Sequence, residues 1–347
     1  MKLFLVIFGL VLLAGCAAFI SWPRPQDPRD RPYLVEQVRF SGGDGVILAG
    51  ELTMPSTGGP FPAAIFLSGS GESDRDETIL GHRPALVLSD HLTRAGYAVL
   101  RFDDRGVGKS TGDFDTATLR DFAEDAVGAF NALYQRVDID RRRIGFIGHS
   151  EGGYKAPLAA MSVPAEFMVF LGGSAKPLLP DVMATQFADT QRIEGVDEDV
   201  IAKARQQYEA ATQILARPGP IRETRAELDA YLITQDIKPG PRRETLELWG
   251  TPWGIEYASY DPEPALRAFD GPVLALFGGT DLQVSAKENA PLMRRLLRHP
   301  QSKVIVLDGL NHLFQPSETG RISEYMWIDT TIDPSVMDLM AKWLDDL

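Results

Sequence analysis

The sequence predicts an α/β fold, in which a mostly parallel β-sheet is covered by helices on both faces. Short apolar runs of strand character alternate with helix-like segments from about residue 61 onward, as in sheets with helical crossovers. The chain has 347 residues, of which 44% are hydrophobic and 24% charged, enough to build a large core. A longer helical stretch at 178–262 interrupts this alternation. The sheet core is therefore predicted to comprise residues 34–177 and 263–347.

The N-terminal segment has the features of a targeting signal. A basic start is followed by an apolar run from Leu3 to Leu13 and then by Leu13-Ala14-Gly15-Cys16. This order predicts a bacterial lipoprotein signal of residues 1–15, after which Cys16 is acylated and becomes the new N-terminus. Cys16 is the only cysteine, so no disulfide can form within the chain. The predicted location is the bacterial cell envelope, with the protein held at the membrane only through this lipid.

Two alternatives remain for the N-terminal segment. The apolar run continues to Ile20, about the length of a short membrane-spanning helix, so one alternative is an uncleaved anchor. The other is an ordinary cleaved signal followed by secretion. Residues 16–33 are rich in proline and charge, which suits a tether between a membrane and a folded domain.

The sheet core begins with a predicted antiparallel hairpin over residues 34–55, whose turn is Gly42-Gly43-Asp44-Gly45. Between the second and third parallel strands, apolar side chains recur at helical spacing from Leu119 to Leu133, which predicts a crossover helix. The apolar runs that predict parallel strands are 63–67, 97–102, 143–147, 167–171, 272–277 and 303–307.

Residues 178–262 are predicted to form a helical cap. Apolar residues recur at helical spacing over 200–215 after Asp197, and residues 224–227 have the spacing of a capping box. A cap inserted before the next sheet strand would exclude water from a site at the strand ends and select substrates. Four aromatic residues near its end either line an acyl pocket or pack the cap onto the core: Trp249, Trp253, Tyr257 and Tyr260.

The pentapeptide Gly148-His149-Ser150-Glu151-Gly152 has the pattern G-x-S-x-G and lies between a predicted strand and a predicted helix. In a sharp turn of this kind the serine takes a strained conformation, and neighbouring backbone passes too close for a Cβ on the glycines. The helix N-terminus also favours negative charge beside the serine. Ser150 is therefore the candidate nucleophile.

A serine hydroxyl needs a general base, and the base needs an acid that orients it. Of the five histidines, His312 follows a predicted strand and lies on a loop at the strand's end. Asp281 follows another strand and a glycine turn, so it is the preferred acid, with Asp308 and Asp261 as weaker alternatives. The order serine, aspartate, histidine along the chain completes a candidate triad.

An oxyanion hole requires two backbone N–H groups that face the tetrahedral intermediate. Glu151, directly after the nucleophile, is expected to supply one of them. Ser70 is expected to supply the other from the oxyanion loop, residues 68–71, with its neighbour Gly71 as the alternative. The charged run at 74–77 is interpreted as a solvated loop, and support of the oxyanion loop is the alternative.

Three motifs follow one another along the chain: S-G-S-G with D-R-D-E at 68–77, D-D-R-G-x-G-x-S at 103–110, and G-H-S-E-G-G at 148–153. Together they resemble the serine hydrolases of the α/β-hydrolase superfamily, and more narrowly the bacterial esterase and acyl-peptidase-like hydrolases. The segments 279–284 and 309–314 are also similar to that group. The resemblance implies hydrolysis of a small acyl ester through an acyl-enzyme.

Two other functions compete with this prediction. A serine peptidase or amidase would use the same triad and would need a subsite for a free amino terminus, for which the Glu151 carboxylate is a candidate. A non-catalytic binding lipoprotein on the same fold is the alternative from another class. It is disfavoured because it gives no physical reason for keeping Ser150, Asp281 and His312 together.

The charge and the motifs disfavour several classes of partner. The 48 acidic and 35 basic residues give a net charge of −13, which opposes binding to nucleic acid or anionic lipid. No Cys/His cluster indicates a metal and no glycine motif indicates a dinucleotide, so no cofactor is expected. Residues 106–111 resemble the end of a phosphate-binding loop, but Asp103 stands where that loop requires glycine. Nothing in the sequence predicts an oligomeric state.

Overall fold

The computed structural model describes residues 24–347. The predicted signal, Cys16 and the first part of the tether lie outside this range. None of the helices within it has the length and apolar character that crossing a membrane requires. The described part of the predicted tether lies against the body of the domain. The Arg24 guanidinium donates to the carbonyls of Met326 and Ile328, and Asp27 pairs with Arg83.

One eight-stranded sheet organises the described residues. Its strands are β1 (Leu34–Ser41), β2 (Ile47–Met54), β3 (Phe61–Leu67), β4 (Ala98–Phe102), β5 (Ile139–His149), β6 (Met168–Leu171), β7 (Val273–Gly278) and β8 (Lys303–Leu307). The spatial order is β1-β2-β4-β3-β5-β6-β7-β8. The pairs β1–β2 and β2–β4 are antiparallel, and every other pair is parallel. Both the predicted hairpin and the mostly parallel sheet are confirmed.

Twelve α-helices accompany the sheet in residues 24–347. They are α1 (Pro84–Arg94), α2 (Leu119–Tyr134), α3 (Gly152–Ala160), α4 (Ala184–Ile193), α5 (Glu198–Leu215), α6 (Ile221–Thr234), α7 (Pro239–Trp249), α8 (Pro252–Ser259), α9 (Glu263–Ala268), α10 (Ala286–Leu296), α11 (Ile322–Tyr325) and α12 (Pro334–Asp345). A short π-helix, Leu178–Met183, leads into α4.

The inner strands of the sheet are buried on both faces. Side chains of β3 alternate between two apolar clusters. Ala63 and Ile65 belong to the cluster that includes residues of α2, α3 and α10, whereas Ala64 and Phe66 belong to the one that includes residues of α1 and α12. Because no face of the inner strands meets water, both sets of positions must be apolar. This burial is the reason why the strands are visible in the sequence as short apolar runs.

The segment between β6 and β7 forms helices that share a third apolar cluster. This cluster includes Leu119 of α2 and Tyr154 of α3, so the insertion packs directly on the sheet domain. Asp197 caps α5 by accepting the Asp199 N–H, as expected of the residue before a helix. Trp249, Tyr257 and Tyr260 are buried in this cluster and Trp253 packs against it, so they join the insertion to the core.

The predicted capping box at residues 224–227 is wrong. Helix α6 begins at Ile221, directly after Pro220, so Thr224 lies inside the helix. The Thr224 hydroxyl instead donates to the Pro220 carbonyl one turn earlier. A threonine inside a helix can satisfy its hydroxyl on the carbonyl one turn earlier, so the spacing of residues 224–227 does not by itself mark the start of a helix.

Candidate active site

Ser150 lies on a sharp turn between β5 and α3. Its φ of 51° is in the left-handed region, which is costly for a residue with a side chain and concentrates at functional sites. Its N–H donates to the Leu171 carbonyl of β6 at 2.9 Å. A Cβ on Gly152 would lie 2.3 Å from the Leu67 carbonyl oxygen, and one on Gly148 would lie 2.3 Å from the Gly152 carbonyl oxygen. Only glycine fits at these two positions, as the G-x-S-x-G pattern predicts.

His312 and Asp281 form a buried pair at the carboxyl ends of neighbouring strands β8 and β7. The His312 Nδ1 lies 2.7 Å from the Asp281 Oδ2. Because a carboxylate only accepts hydrogen bonds, Nδ1 carries the hydrogen and Nε2 is left free to accept a proton. The other Asp281 oxygen accepts the N–H groups of Gln283 and Val284 at 2.7 and 2.9 Å. Asp281, rather than Asp308 or Asp261, is thus the carboxylate that forms a hydrogen bond with His312.

Ser150 is placed beside His312 by contacts of its neighbours. The His149 Nε2 lies 3.2 Å from the His312 carbonyl oxygen, and the two imidazole rings are 4.9 Å apart. A Cβ on Gly172, next to the Leu171 that binds the Ser150 N–H, would lie 3.1 Å from the His312 Nδ1. The hydrogen bonds within residues 24–347 do not include one from the Ser150 hydroxyl to His312, and such bonds often tighten only when substrate binds.

The two predicted oxyanion donors are unused in the described chain. Neither the Ser70 N–H nor the Glu151 N–H has a hydrogen-bond acceptor among residues 24–347. A Cβ on Gly69 would lie 3.4 Å from the Ser150 Cβ, so the oxyanion loop adjoins the candidate nucleophile. The Gly71 N–H is equally unused, so Gly71 remains the alternative to Ser70.

The charged run at 74–77 is not a solvated loop, because Glu77 is only 1% exposed. The Glu77 Oε1 accepts the Gly69 N–H at 2.6 Å and faces the His149 Nδ1 at 2.8 Å. Burial alone lowers the pKa of His149, but the Glu77 carboxylate outweighs burial and the net shift is upward. Through Glu77 the run therefore supports the oxyanion loop, which was the alternative interpretation.

Lys155 is a further buried charge that the sequence reasoning missed. Its Nζ lies 3.1 Å from the Glu151 Oε1 and donates to the carbonyls of Ser68 and Gly69 at 3.2 and 3.3 Å. Burial alone lowers the pKa of Lys155, but Glu151 and Asp104 raise it above its usual value. The i, i+4 spacing of Glu151 and Lys155 at the start of a helix is the signal that predicts this pair.

The Glu151 carboxylate is fully engaged. Its Oε2 accepts the indole N–H of Trp253 at 2.9 Å, and its Oε1 faces Lys155. Trp253 belongs to α8, so this bond connects the helical insertion to the residue after the candidate nucleophile. The Glu151 side chain is also only 3% exposed, so it offers little surface to the amino terminus of a peptide.

One group of described residues has carboxylates close enough to share a metal ion, namely Asp44, Asp121 and Glu124. Asp44 and Glu124 are exposed, and Asp121 caps α2 and faces Arg105 at 3.5 Å. This group lies at the turn of the hairpin and the start of α2, away in sequence from the strand ends that carry Ser150, Asp281 and His312.

Comparisons with known proteins bear on the family and the fold of the chain. The chain is 27% identical to the esterase EstD of Thermotoga maritima over 299 residues, which are 86% of this chain and 65% of EstD. It therefore spans less than two thirds of that relative's length. A hypothetical protein of Pseudomonas aeruginosa has a similar fold, with a TM-score of 0.58 at 16% identity over 92% of this chain and 96% of its own.

The Pyrococcus furiosus esterase Pf2001 is also similar in fold, with a TM-score of 0.53 at 17% identity over 92% of this chain and 93% of its own. At these identities the structural likeness concerns the fold alone. The sequence model of the alpha/beta hydrolase family matches residues 64–323, most of the chain. The strand order, the serine on its turn between β5 and α3, and this match lead to one conclusion: the chain belongs to the alpha/beta hydrolase family.

Proposed function

We propose that the protein is a serine hydrolase that cleaves carboxylic esters through an acyl-enzyme intermediate. The observation that carries the proposal is Ser150 on its strained turn beside the buried pair of Asp281 and His312. The similarity to the Thermotoga maritima esterase supports an ester as the substrate class. No cofactor is required by this chemistry, since the chain itself supplies the nucleophile, the base and the acid.

Acylation begins when the Ser150 oxygen attacks the carbonyl carbon of the ester. His312 Nε2 takes the Ser150 proton, while Asp281 holds the His312 Nδ1 hydrogen and stabilises the imidazolium. The N–H groups of Ser70 and Glu151 donate to the oxygen that becomes negative. The tetrahedral intermediate then collapses, the His312 proton passes to the alcohol, and the acyl group stays on Ser150.

Deacylation repeats these steps with water in place of Ser150. His312 Nε2 takes a proton from water, which attacks the acyl carbonyl, and the same N–H groups stabilise the second tetrahedral intermediate. When the intermediate collapses, the proton returns to the Ser150 oxygen and the carboxylic acid leaves. The strained serine is then ready for the next ester.

The proposal includes a division into a core, 34–177 with 263–347, and a cap over the site, 178–262. What supports the cap is the Trp253 bond to Glu151, which joins α8 to the residue after Ser150. A cap in this place excludes water and limits the acyl groups that reach the serine. The alternative of a peptidase is less well supported, because the Glu151 carboxylate is buried and already paired with Lys155 and Trp253.

The experiment compares hydrolysis of p-nitrophenyl esters, from acetate to long acyl chains, with hydrolysis of aminoacyl anilides. We expect ester turnover with a defined optimum of chain length, because the cap limits the space beside the serine. A soluble form that begins after Cys16 suits the assay. Turnover of anilides with little turnover of esters would instead favour the peptidase. Turnover of neither, with no covalent labelling of Ser150, would favour a binding role.

The proposed location is the bacterial cell envelope, with Cys16 as the lipid anchor. The support comes from the sequence alone, namely residues 13–16 and the apolar run before them. These residues lie outside the described range. Cys16→Ser removes the thiol that would be acylated, so we expect the protein to leave the membrane fraction or to keep its uncleaved signal. Mass spectrometry of the N-terminal peptide checks the lipid directly. An unmodified Cys16 in the membrane fraction would favour an uncleaved anchor.

A further inference from the structure

We propose that Lys155 and Glu77 are positioning residues, which hold the oxyanion loop from opposite sides and aim the Ser70 N–H at the reacting carbonyl. This inference rests on the proposed function, because it concerns how the oxyanion hole of that reaction is built. Neither side chain needs to touch the substrate. Each acts through the backbone of the loop.

Lys155 holds the carbonyl side of the loop. Its Nζ, on a side chain that is almost fully buried in α3, donates to both the Ser68 and the Gly69 oxygens. In a trans peptide the C=O and the following N–H point in opposite directions. The peptide between Gly69 and Ser70 is trans, since the only cis peptide bond in the described residues is at Pro60. Holding the Gly69 oxygen therefore turns the Ser70 N–H away from Lys155.

Glu77 holds the opposite side of the loop. Its Oε1 accepts the Gly69 N–H at 2.6 Å, while the carbonyl oxygen of the same peptide, that of Ser68, accepts from Lys155 at 3.2 Å. This peptide plane is thus fixed at both of its polar ends. The next plane has its carbonyl fixed by Lys155 and its Ser70 N–H free, which is the arrangement that an oxyanion donor requires.

His149 connects this clamp to the proposed base. Its Nδ1 faces the Glu77 carboxylate and its Nε2 faces the His312 carbonyl oxygen, and both of these partners only accept hydrogen bonds. Both contacts are satisfied when both ring nitrogens carry hydrogen, which is the imidazolium form of His149. The upward shift of the His149 pKa has the same direction. One charged network thereby joins the oxyanion loop, the serine turn and the His312 loop.

Lys155 also bonds to the residue that carries the second oxyanion donor. Its ammonium pairs with the Glu151 carboxylate, and the N–H of Glu151 is the other proposed donor. Asp104, which accepts the Ser68 hydroxyl, interacts with the same ammonium. Burial raises the pKa of Asp104 to about 7, and the charge of Lys155 opposes this shift. A single buried cation therefore orders both sides of the hole.

The test is Lys155→Met in the full-length protein, which keeps the length of the side chain and removes its charge and donors. We expect kcat for a p-nitrophenyl ester to fall by roughly 10- to 100-fold with KM within about twofold, because the donors act mainly in the transition state. The affinity for phenylboronic acid, which forms a tetrahedral adduct with a serine, should fall by a similar factor. Lys342→Met, on an exposed lysine of α12, is the matched control and should change neither quantity.

A second variant separates positioning from folding. Lys155→Met leaves the Glu151 carboxylate buried without its cation, which by itself destabilises the protein. The double variant Lys155→Met with Glu151→Gln removes this unpaired charge. The amide oxygen of the glutamine can still accept the Trp253 indole N–H, and the backbone N–H of residue 151 is unchanged. We expect the unfolding midpoint to recover and kcat to stay low. Recovery of kcat together with stability would overturn the proposal.

Glu77→Gln tests the other side of the loop and carries the test if neither Lys155 variant folds. The Gln oxygen keeps the shape but not the charge, so the Gly69 bond weakens and His149 loses its counterion. We expect kcat and boronate affinity to fall about 10-fold together, with KM little changed. Unchanged boronate affinity, or a change confined to KM, would contradict positioning. Boronate binding needs no turnover, so failure of this inference is distinguishable from failure of ester hydrolysis in the wild type.

Discussion

Replacing Ser150 by alanine is expected to lower kcat for ester hydrolysis by a factor on the order of 10⁴–10⁶. The change removes the one oxygen that forms the acyl-enzyme and leaves Asp281 and His312 paired. The Ser150 N–H bond to the Leu171 carbonyl does not involve the side chain, so the turn is kept. The left-handed conformation at residue 150 costs alanine about as much as it costs serine. We therefore expect the free energy of unfolding to change by less than about 1 kcal/mol. The measurements are kcat with a p-nitrophenyl ester and a urea unfolding curve.

Covalent labelling identifies the nucleophile independently of turnover. A fluorophosphonate should add one label to the wild type, on the peptide that contains Ser150, and none to Ser150→Ala. Ser162→Ala is the matched control, because Ser162 is an exposed serine shortly after the end of α3 and should keep both turnover and label. Turnover at the wild-type level in Ser150→Ala would rule out Ser150 as the nucleophile.

The fold was largely predictable because its signals are local. An inner strand such as β7, Val273–Gly278, is buried at every residue, so it appears in the sequence as an uninterrupted apolar run. The turn at Ser150 is also local, since the clashes that require Gly148 and Gly152 arise from the strand, the turn and the adjoining strand. The placement of Asp281 and His312 followed from strand order, because parallel strands bring their carboxyl ends to one edge.

The support of the oxyanion loop was not predictable in the same way. Glu77 stands in a run of charged residues, and a local pattern does not say which carboxylate turns inward. Its partner His149 is 72 residues away along the chain, and Lys155 is 87 residues from Ser68. Only the assembled sheet brings these groups together, which is why the run appears to be a solvated loop in the sequence.

Replacing Asp281 by asparagine is expected to lower kcat by roughly 10⁴-fold while leaving the site almost unchanged in shape. The reason lies in the partners of the two carboxylate oxygens. Oδ1 accepts the N–H groups of Gln283 and Val284, so the asparagine oxygen must occupy that position. The asparagine NH₂ then faces the His312 Nδ1, which has to accept a hydrogen bond and so carries no hydrogen. The hydrogen moves to Nε2, and the imidazole can no longer take the Ser150 proton.

Asp308→Asn is the matched control for this prediction. Asp308 is an exposed aspartate directly after β8, and it was a weaker candidate for the acid. We expect it to keep wild-type kcat. Both variants are compared in single-turnover acylation by a p-nitrophenyl ester, with unfolding midpoints to show that each is folded. A large loss in Asp308→Asn with little loss in Asp281→Asn would reassign the acid. A large loss in Asp281→Asn alone, at an unchanged unfolding midpoint, would support Asp281 as the acid that orients and stabilises His312.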